Sequence, residues 1–173
     1  MQQQITSTIV KGAIIGLIMI LVSIGGSFLG LQANGYFQWV GYGIFLIGVI
    51  LSISQYGKQI NYNSTFGNYF AHGFKVSALV TLMMIVFLIV FMTIFPEFKE
   101  KAIDEAGKNM TEKKYTEEQM EQAINVTKKF FMVFLVGGAL LAYLLFGAIA
   151  SLIGAAVTKK DPHPLQDINQ IGE

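Results

Sequence analysis

The chain has 173 residues, 53% of them hydrophobic and 13% charged, with 18 glycines, no cysteine and a formal net charge of +1. A water-soluble domain carries about 25% charged residues, so about half the charge of an aqueous exterior is missing and the apolar excess has to face lipid. Without cysteine there is no disulfide framework, thiolate metal site or cysteine nucleophile, and the near-neutral balance argues against a protein that binds nucleic acid by neutralising phosphates.

In chain order, the charge-free stretches define the elements. Gly12 to Gly57 is 46 residues without Asp, Glu, Lys or Arg, Val76 to Pro96 is 21, and Phe130 to Thr158 is 29. A spanning helix needs about 20 apolar residues to cross about 30 Å of hydrocarbon. The first stretch therefore holds two spans, broken at Gln32-Ala33-Asn34-Gly35 by an Asn-Gly turn signal, and the other two hold one each. Four spans follow, over about 9–31, 39–55, 76–95 and 130–157. The apolar pattern of the first runs through Leu31, longer than a signal-peptide core of about 7–15 residues. Tyr36, Phe37, Trp39, Tyr42 and Tyr56 border the second span, where amphipathic rings suit the headgroup level or pack in the core.

The segment from Glu97 to Lys129 carries seven lysines against eight acids. Glu97–Lys101 and Asp104–Lys108 are acid-before-base pairs at i,i+4, which favours helix. Phe95, Phe98, Ala102, Ala106 and Met110 form one apolar stripe; Met120, Ala123, Ile124, Thr127, Phe131 and Phe134 form another. Thr116 is placed as an N-cap with Gln119 in the capping-box position, and Pro96 kinks the chain at the membrane surface. The spacing predicts a hairpin whose stripes face each other while the charges face water.

With four spans, the N-terminal tail, the 56–75 connection and the C-terminal tail share one side. That side carries Lys11, Lys58, Lys75, Lys159 and Lys160, with acids only at Asp161, Asp167 and Glu173. Lysines close to span ends orient a membrane protein, which puts both termini in the cytoplasm and the charged hairpin outside.

Small residues recur at helical spacing: Gly12 and Gly16, Gly26 and Gly30, then Gly147, Ser151 and Gly154. They allow close backbone approach, either within the bundle or to a second copy or another membrane protein. The charge-free spans hold no ionisable group, the usual mark of a proton relay or ion pathway. Their hydroxyls, at Ser23, Ser27, Ser52, Ser54, Ser77, Thr81, Thr93 and Ser151, are of the kind that bond the carbonyl one turn back. Phe66, Tyr69, Phe70, Gly73 and Phe74 share one helical face at the membrane interface. With Tyr56, Lys58, His72 and Lys75 they form a candidate surface for a partner or a lipid head group. His72 and His163 are the only histidines, too few to assemble a metal site, and no nucleophile–base pair or phosphate loop is present, so neither a cofactor nor a catalytic residue is indicated.

Several of these elements resemble an uncharacterised membrane family, domain of unknown function 4199, found chiefly in Bacteroidota. They are Lys11-Gly12 opening the first span, Gln55-Tyr56 with Lys58, Thr65-Phe66-Gly67 with Ala71, Gly73-Phe74-Lys75, Phe95-Pro96-Glu97-Phe98, the charged arm, and the closing Lys159-Lys160. The resemblance covers roughly Lys11 to Lys160. It implies a four-span inner-membrane protein and supplies no activity.

The expectation is an all-α fold, an integral membrane four-helix bundle forming one membrane domain over 1–173, with an extramembrane helical hairpin over 96–129 and a tail over 159–173. Functionally it is a non-enzymatic accessory or assembly subunit of a larger bacterial inner-membrane complex, in contact with the lipid bilayer and with a membrane protein or further copies of itself. A small oligomeric transporter or channel and a membrane enzyme acting on lipid head groups are the alternatives. The purified chain is expected to require surfactant; a monodisperse species in plain buffer, seen by light scattering, would contradict the lipid-facing assignment.

Overall fold

A computed structural model describes residues 6–31, 35–112 and 115–160, which contain five helices and no strand. These are α1 (Thr8–Phe28), α2 (Gly35–Gln59), α3 (Phe66–Ile94), α4 (Pro96–Glu112) and α5 (Glu117–Val157). Four are long and apolar enough to cross a membrane: α1, the Trp39–Gln59 part of α2, α3 and α5. The described fold is therefore all-helical, with four span-like helices and one polar helix between the third and fourth of them.

Local chemistry sets the ends. Ser7 caps α1, its hydroxyl accepting from the Ile9 amide at 3.1 Å. At the other end Gly30 has φ +70° and donates its amide to the Ser27 carbonyl at 3.2 Å. That left-handed conformation costs a residue with a side chain about 1–2 kcal/mol and glycine almost nothing. α1 thus stops at Phe28, short of the expected Leu31, and Gly30 is a helix terminator with open space around it instead of a packing glycine. α3 starts ten residues before the expected boundary, because Thr65 receives the Asn68 amide on its hydroxyl at 3.4 Å and the Tyr69 amide on its carbonyl at 3.2 Å. α5 starts at Glu117 for the same kind of reason. Thr116 and Gln119 cap reciprocally, amide to side chain, at 3.1 and 3.3 Å. The hydrophobic stretches mark where hydrocarbon begins, whereas the caps decide where helix begins.

The contacts divide the chain into two compact units. One holds the described residues up to Met84 together with those from Ala142. Its core is Ile15 and Met19 of α1, Phe45, Val49 and Ile53 of α2, Tyr69, Val76 and Val80 of α3, and Ala150 and Ala155 of α5. The α1 and α2 residues are four apart and those of α3 seven and four apart, so each of these helices turns one stripe inward. The opposite faces, with Leu17 and Leu21 of α1, Ile47 and Leu51 of α2 and Leu82 of α3, are exposed. Large aliphatics pointing outward from a filled core are what a hydrocarbon solvent permits. Near the start of α2, Tyr42 stacks on Phe146 at 4.5 Å and Phe45 meets Tyr143 edge-on at 5.5 Å, tying α2 to α5.

In the second unit, residues 85–141, α3 ends before Pro96, which opens α4. Proline cannot continue the hydrogen-bond ladder of α3 but suits a first helical turn, so a change of helix replaces the expected kink. Phe91 is buried among the rings of Phe87, Phe95 and Phe98, at 5.4, 5.1 and 5.1 Å. α4 and α5 face each other through the Lys99 ammonium, 5.7 Å above the Phe131 ring, and through Gly107 beside Ile124. Phe98, Ala102 and Ala106 are half-buried as the stripe predicts, but Ile103, outside it, is the most buried of the described side chains of α4. On α5, Met120, Ala123, Ile124, Thr127 and Phe131 turn inward while Phe134 faces out. Met110 lies outside the described side chains.

Gly147 is one of the tight helix crossings that the sequence marked, set against α3. A Cβ there would stand 2.6 Å from the Ser77 Cβ, so Gly147→Leu is expected to cost about 1–3 kcal/mol by overpacking, visible as a lower thermal midpoint in detergent.

Candidate functional site

The first unit gathers its polar chemistry at the end where α1 and α3 begin and α2 and α5 finish. Its described residues include Lys11, Lys58, Lys75, Lys159 and Lys160 and not one Asp or Glu. Four of these lysines are exposed, whereas Lys11, in the first turn of α1, is 5% exposed. Its ammonium donates to the Ser52 carbonyl at 3.3 Å and to Gln59 Oε1 at 3.3 Å, and lies 5.7 Å from the centre of the Tyr56 ring. Gln59 is oriented in turn by Thr6, receiving the Thr6 amide at 3.2 Å and donating Nε2 to its hydroxyl at 2.8 Å. Two of three ammonium hydrogens are thereby placed, and the ring adds a cation–π contact.

His72 continues the cluster from α3. It is 8% exposed, stacks face to face on Tyr56 at 4.2 Å with 5° between planes, and holds Nε2 at 3.3 Å from Ser52 Oγ. Tyr69, one turn earlier, meets Tyr56 edge-on at 6.1 Å. It is fully buried, and its hydroxyl has no hydrogen-bond partner among the described residues. An unsatisfied buried hydroxyl costs about 1–3 kcal/mol, so Tyr69 is held by its ring rather than by its polar end.

The expected contact surface is divided by this arrangement. Tyr69, His72 and Gly73 point into the unit, Tyr56 and Phe70 are half-buried, and Phe66, Phe74, Lys58 and Lys75 are exposed. Phe70 stacks on Phe74 at 5.8 Å, and the Lys160 ammonium lies 5.6 Å over the Phe66 ring. The rings therefore do not lie flat along one interfacial face: the start of α3 is packed into the bundle, and only its outer side remains for contact. Lys11, Ser52 and Gln59 were missed as site residues because the lysine closes the polar tail and the other two lie in or beside an apolar run. Their meeting depends on α1 and α2 running antiparallel. The available signal was position: Lys11 and Gln59 lie at equivalent depth on the two sides of the first turn.

Apart from Gly30, the small residues marked at helical spacing pack against neighbours within the chain. A side chain at Gly12 would strike Leu79, at Gly16 Met83, at Gly26 Phe37 and at Gly154 Ile53. The Ser151 hydroxyl bonds the Gly147 carbonyl at 2.6 Å, and the Ser77 hydroxyl bonds the Gly73 carbonyl at 3.0 Å while reaching the Gly147 carbonyl at 3.5 Å. Ser27, Thr81 and Thr93 bond one turn back in the same way, at 2.8, 2.8 and 2.7 Å. Ser52 departs from that pattern by turning to His72. Among the described residues no three His, Asp or Glu side chains gather as a metal site would require.

Gln59→Ala is expected to cost about 1–3 kcal/mol by leaving the Lys11 ammonium short of an acceptor, whereas Tyr69→Phe, which removes a buried hydroxyl without a hydrogen-bond partner among the described residues, is expected to raise stability by about 1–3 kcal/mol. Thermal unfolding of both variants in one detergent checks the pair.

Neither the curated proteins nor the solved structures return a match to this chain. Residues 11–160 match the family described as protein of unknown function, DUF4199. The match begins at the buried lysine, ends at the lysine pair closing α5 and covers most of the chain, which therefore belongs to the DUF4199 family.

Proposed function

We propose that this protein is a non-catalytic accessory subunit of a larger complex in the bacterial inner membrane, with both termini in the cytoplasm and the α4–α5 hairpin outside. The observation that carries the reading is the openness of α5. Of its most apolar 18-residue window 6% is buried within the chain, against 33% for α1 and 28% for α2 and α3. Phe130, Phe134, Gly138 and Leu141 lie at i,i+4,i+8,i+11 on one exposed stripe, and a Cβ at Gly138 would meet nothing within 4 Å. Bulky residues flanking an unoccupied glycine form a notch into which a second spanning helix can settle, since van der Waals packing is the main drive between helices in lipid. The five lysines at one end of the first unit support the orientation.

A photo-crosslinking residue at Leu141 in the native membrane is expected to give a discrete adduct with a different membrane protein. Gly138→Leu should lower its yield about tenfold, and a crosslinker at Leu21 should give no such adduct. Adducts only with lipid, or only with a second copy of the chain, would refute the accessory-subunit reading.

A further inference from the structure

Between α1 and α2 runs an open cleft of about 430 Å³, lying wholly within the first unit. Its two ends differ in chemistry. One is lined by Lys11 and Lys58 with Ser52, Ser54 and Gln55; the other by Ile14, Ile18 and Leu51. On α1 the lining recurs at 11, 14, 15 and 18, a single helical face about 10 Å long at 1.5 Å per residue.

We infer that this cleft binds one anionic phospholipid, its phosphate between the Lys11 and Lys58 ammonium groups and the upper part of an acyl chain along Ile14, Ile18 and Leu51. Three observations converge. Lys11 is a buried cation that no carboxylate of the described unit neutralises, and a buried charge without a counter-ion costs several kcal/mol. Two of its donors are taken by neutral acceptors, the Ser52 carbonyl and Gln59, which leaves the charge uncompensated and a third donor available. The apolar half of the cleft is lined by exposed side chains, Ile14, Ile18 and Leu51, of two span-like helices, so the counter-ion that fits both halves is amphiphilic. Basic clefts between spanning helices near the membrane surface recognise anionic head groups by this combination of charge and depth. Ser54 and Gln55 supply neutral donors to the remaining phosphate or glycerol oxygens. A phosphate free in solution would satisfy the lysines but leave the apolar wall unused.

The test uses the full chain in nanodiscs of equal phosphatidylglycerol and phosphatidylcholine, followed by native mass spectrometry. The expected result is one retained phosphatidylglycerol per chain, favoured about tenfold over phosphatidylcholine, the factor one charge-assisted contact supplies. Lys58→Gln, at an exposed position that folding tolerates, should reduce that preference severalfold, and Leu51→Trp should expel the lipid by filling the apolar half. Both variants should keep the parent helical circular dichroism. Equal retention of the two lipids, or retention unchanged in both variants, would overturn the assignment. Displacement by millimolar inorganic phosphate would overturn it in favour of a free-anion site. A third variant, with Asp161 and Asp167 changed to Asn and Glu173 to Gln, addresses the chain's own acidic tail; severalfold stronger lipid retention in it would make the tail, not lipid, the resident anion.

Discussion

In hydrocarbon no water exists to accept the hydrogen bonds of a peptide chain, so every backbone group has to be satisfied within its own segment. Each span is consequently a helix, and the apolar side chains that would be buried in a soluble protein face outward on α1, α2 and α3. Once burial of apolar surface no longer drives helices together, contact has to come from shape and local bonds. That is why Gly147 sits against Ser77 and Gly16 against Met83, and why Ser77, Thr81 and Ser151 return their hydroxyls to carbonyls of their own helices. Small residues bring the backbones together, and satisfied hydroxyls let them do so without exposing polar groups to lipid.

The same constraint makes the cluster around Lys11 conspicuous. A charge buried beneath Tyr56 and Gln59 is expensive unless something opposite in sign lies near it, and this unit has no acid among its described residues. Its partners are instead one carbonyl, one amide side chain and one aromatic face. His72, stacked on Tyr56, extends the polar seam from α2 to α3. Such a seam fixes the register of three helices at one end of the unit and presents positive charge to whatever lies in the α1–α2 cleft. The bundle and its electrostatics are built by the same residues.

The second unit follows different physics. α4 is polar and carries acid-before-base pairs, and α5 at 41 residues is about 60 Å long, twice the thickness of hydrocarbon. Ile103 is buried and Phe131 half-buried while Glu97, Glu100, Asp104 and Glu105 are exposed, the pattern of a hairpin with one covered face. Charge alternation made this region readable in advance, and so did the Thr116–Gln119 capping box, because both are local. What could not be read was that Ile103, outside the stripe, sinks deeper than Ala102 and Ala106, since the three share a turn and their order depends on the rotation of α4 about its own axis.

The number of span-like helices, the helical nature of the charged arm, its cap at Thr116 and the lysine-rich end of the first unit were all determined by the sequence itself. Each follows from composition over a window or from a bond between residues a few positions apart. Only the tertiary structure decided that Lys11 is buried, that Ser52 turns to His72 instead of its own helix, and that Tyr69 and His72 point inward while Phe66 and Phe74 point out. These facts depend on how far each helix is rotated toward its neighbours. In a chain that is apolar on every side, the hydrophobic pattern, which in water would specify that rotation, carries almost no information about it.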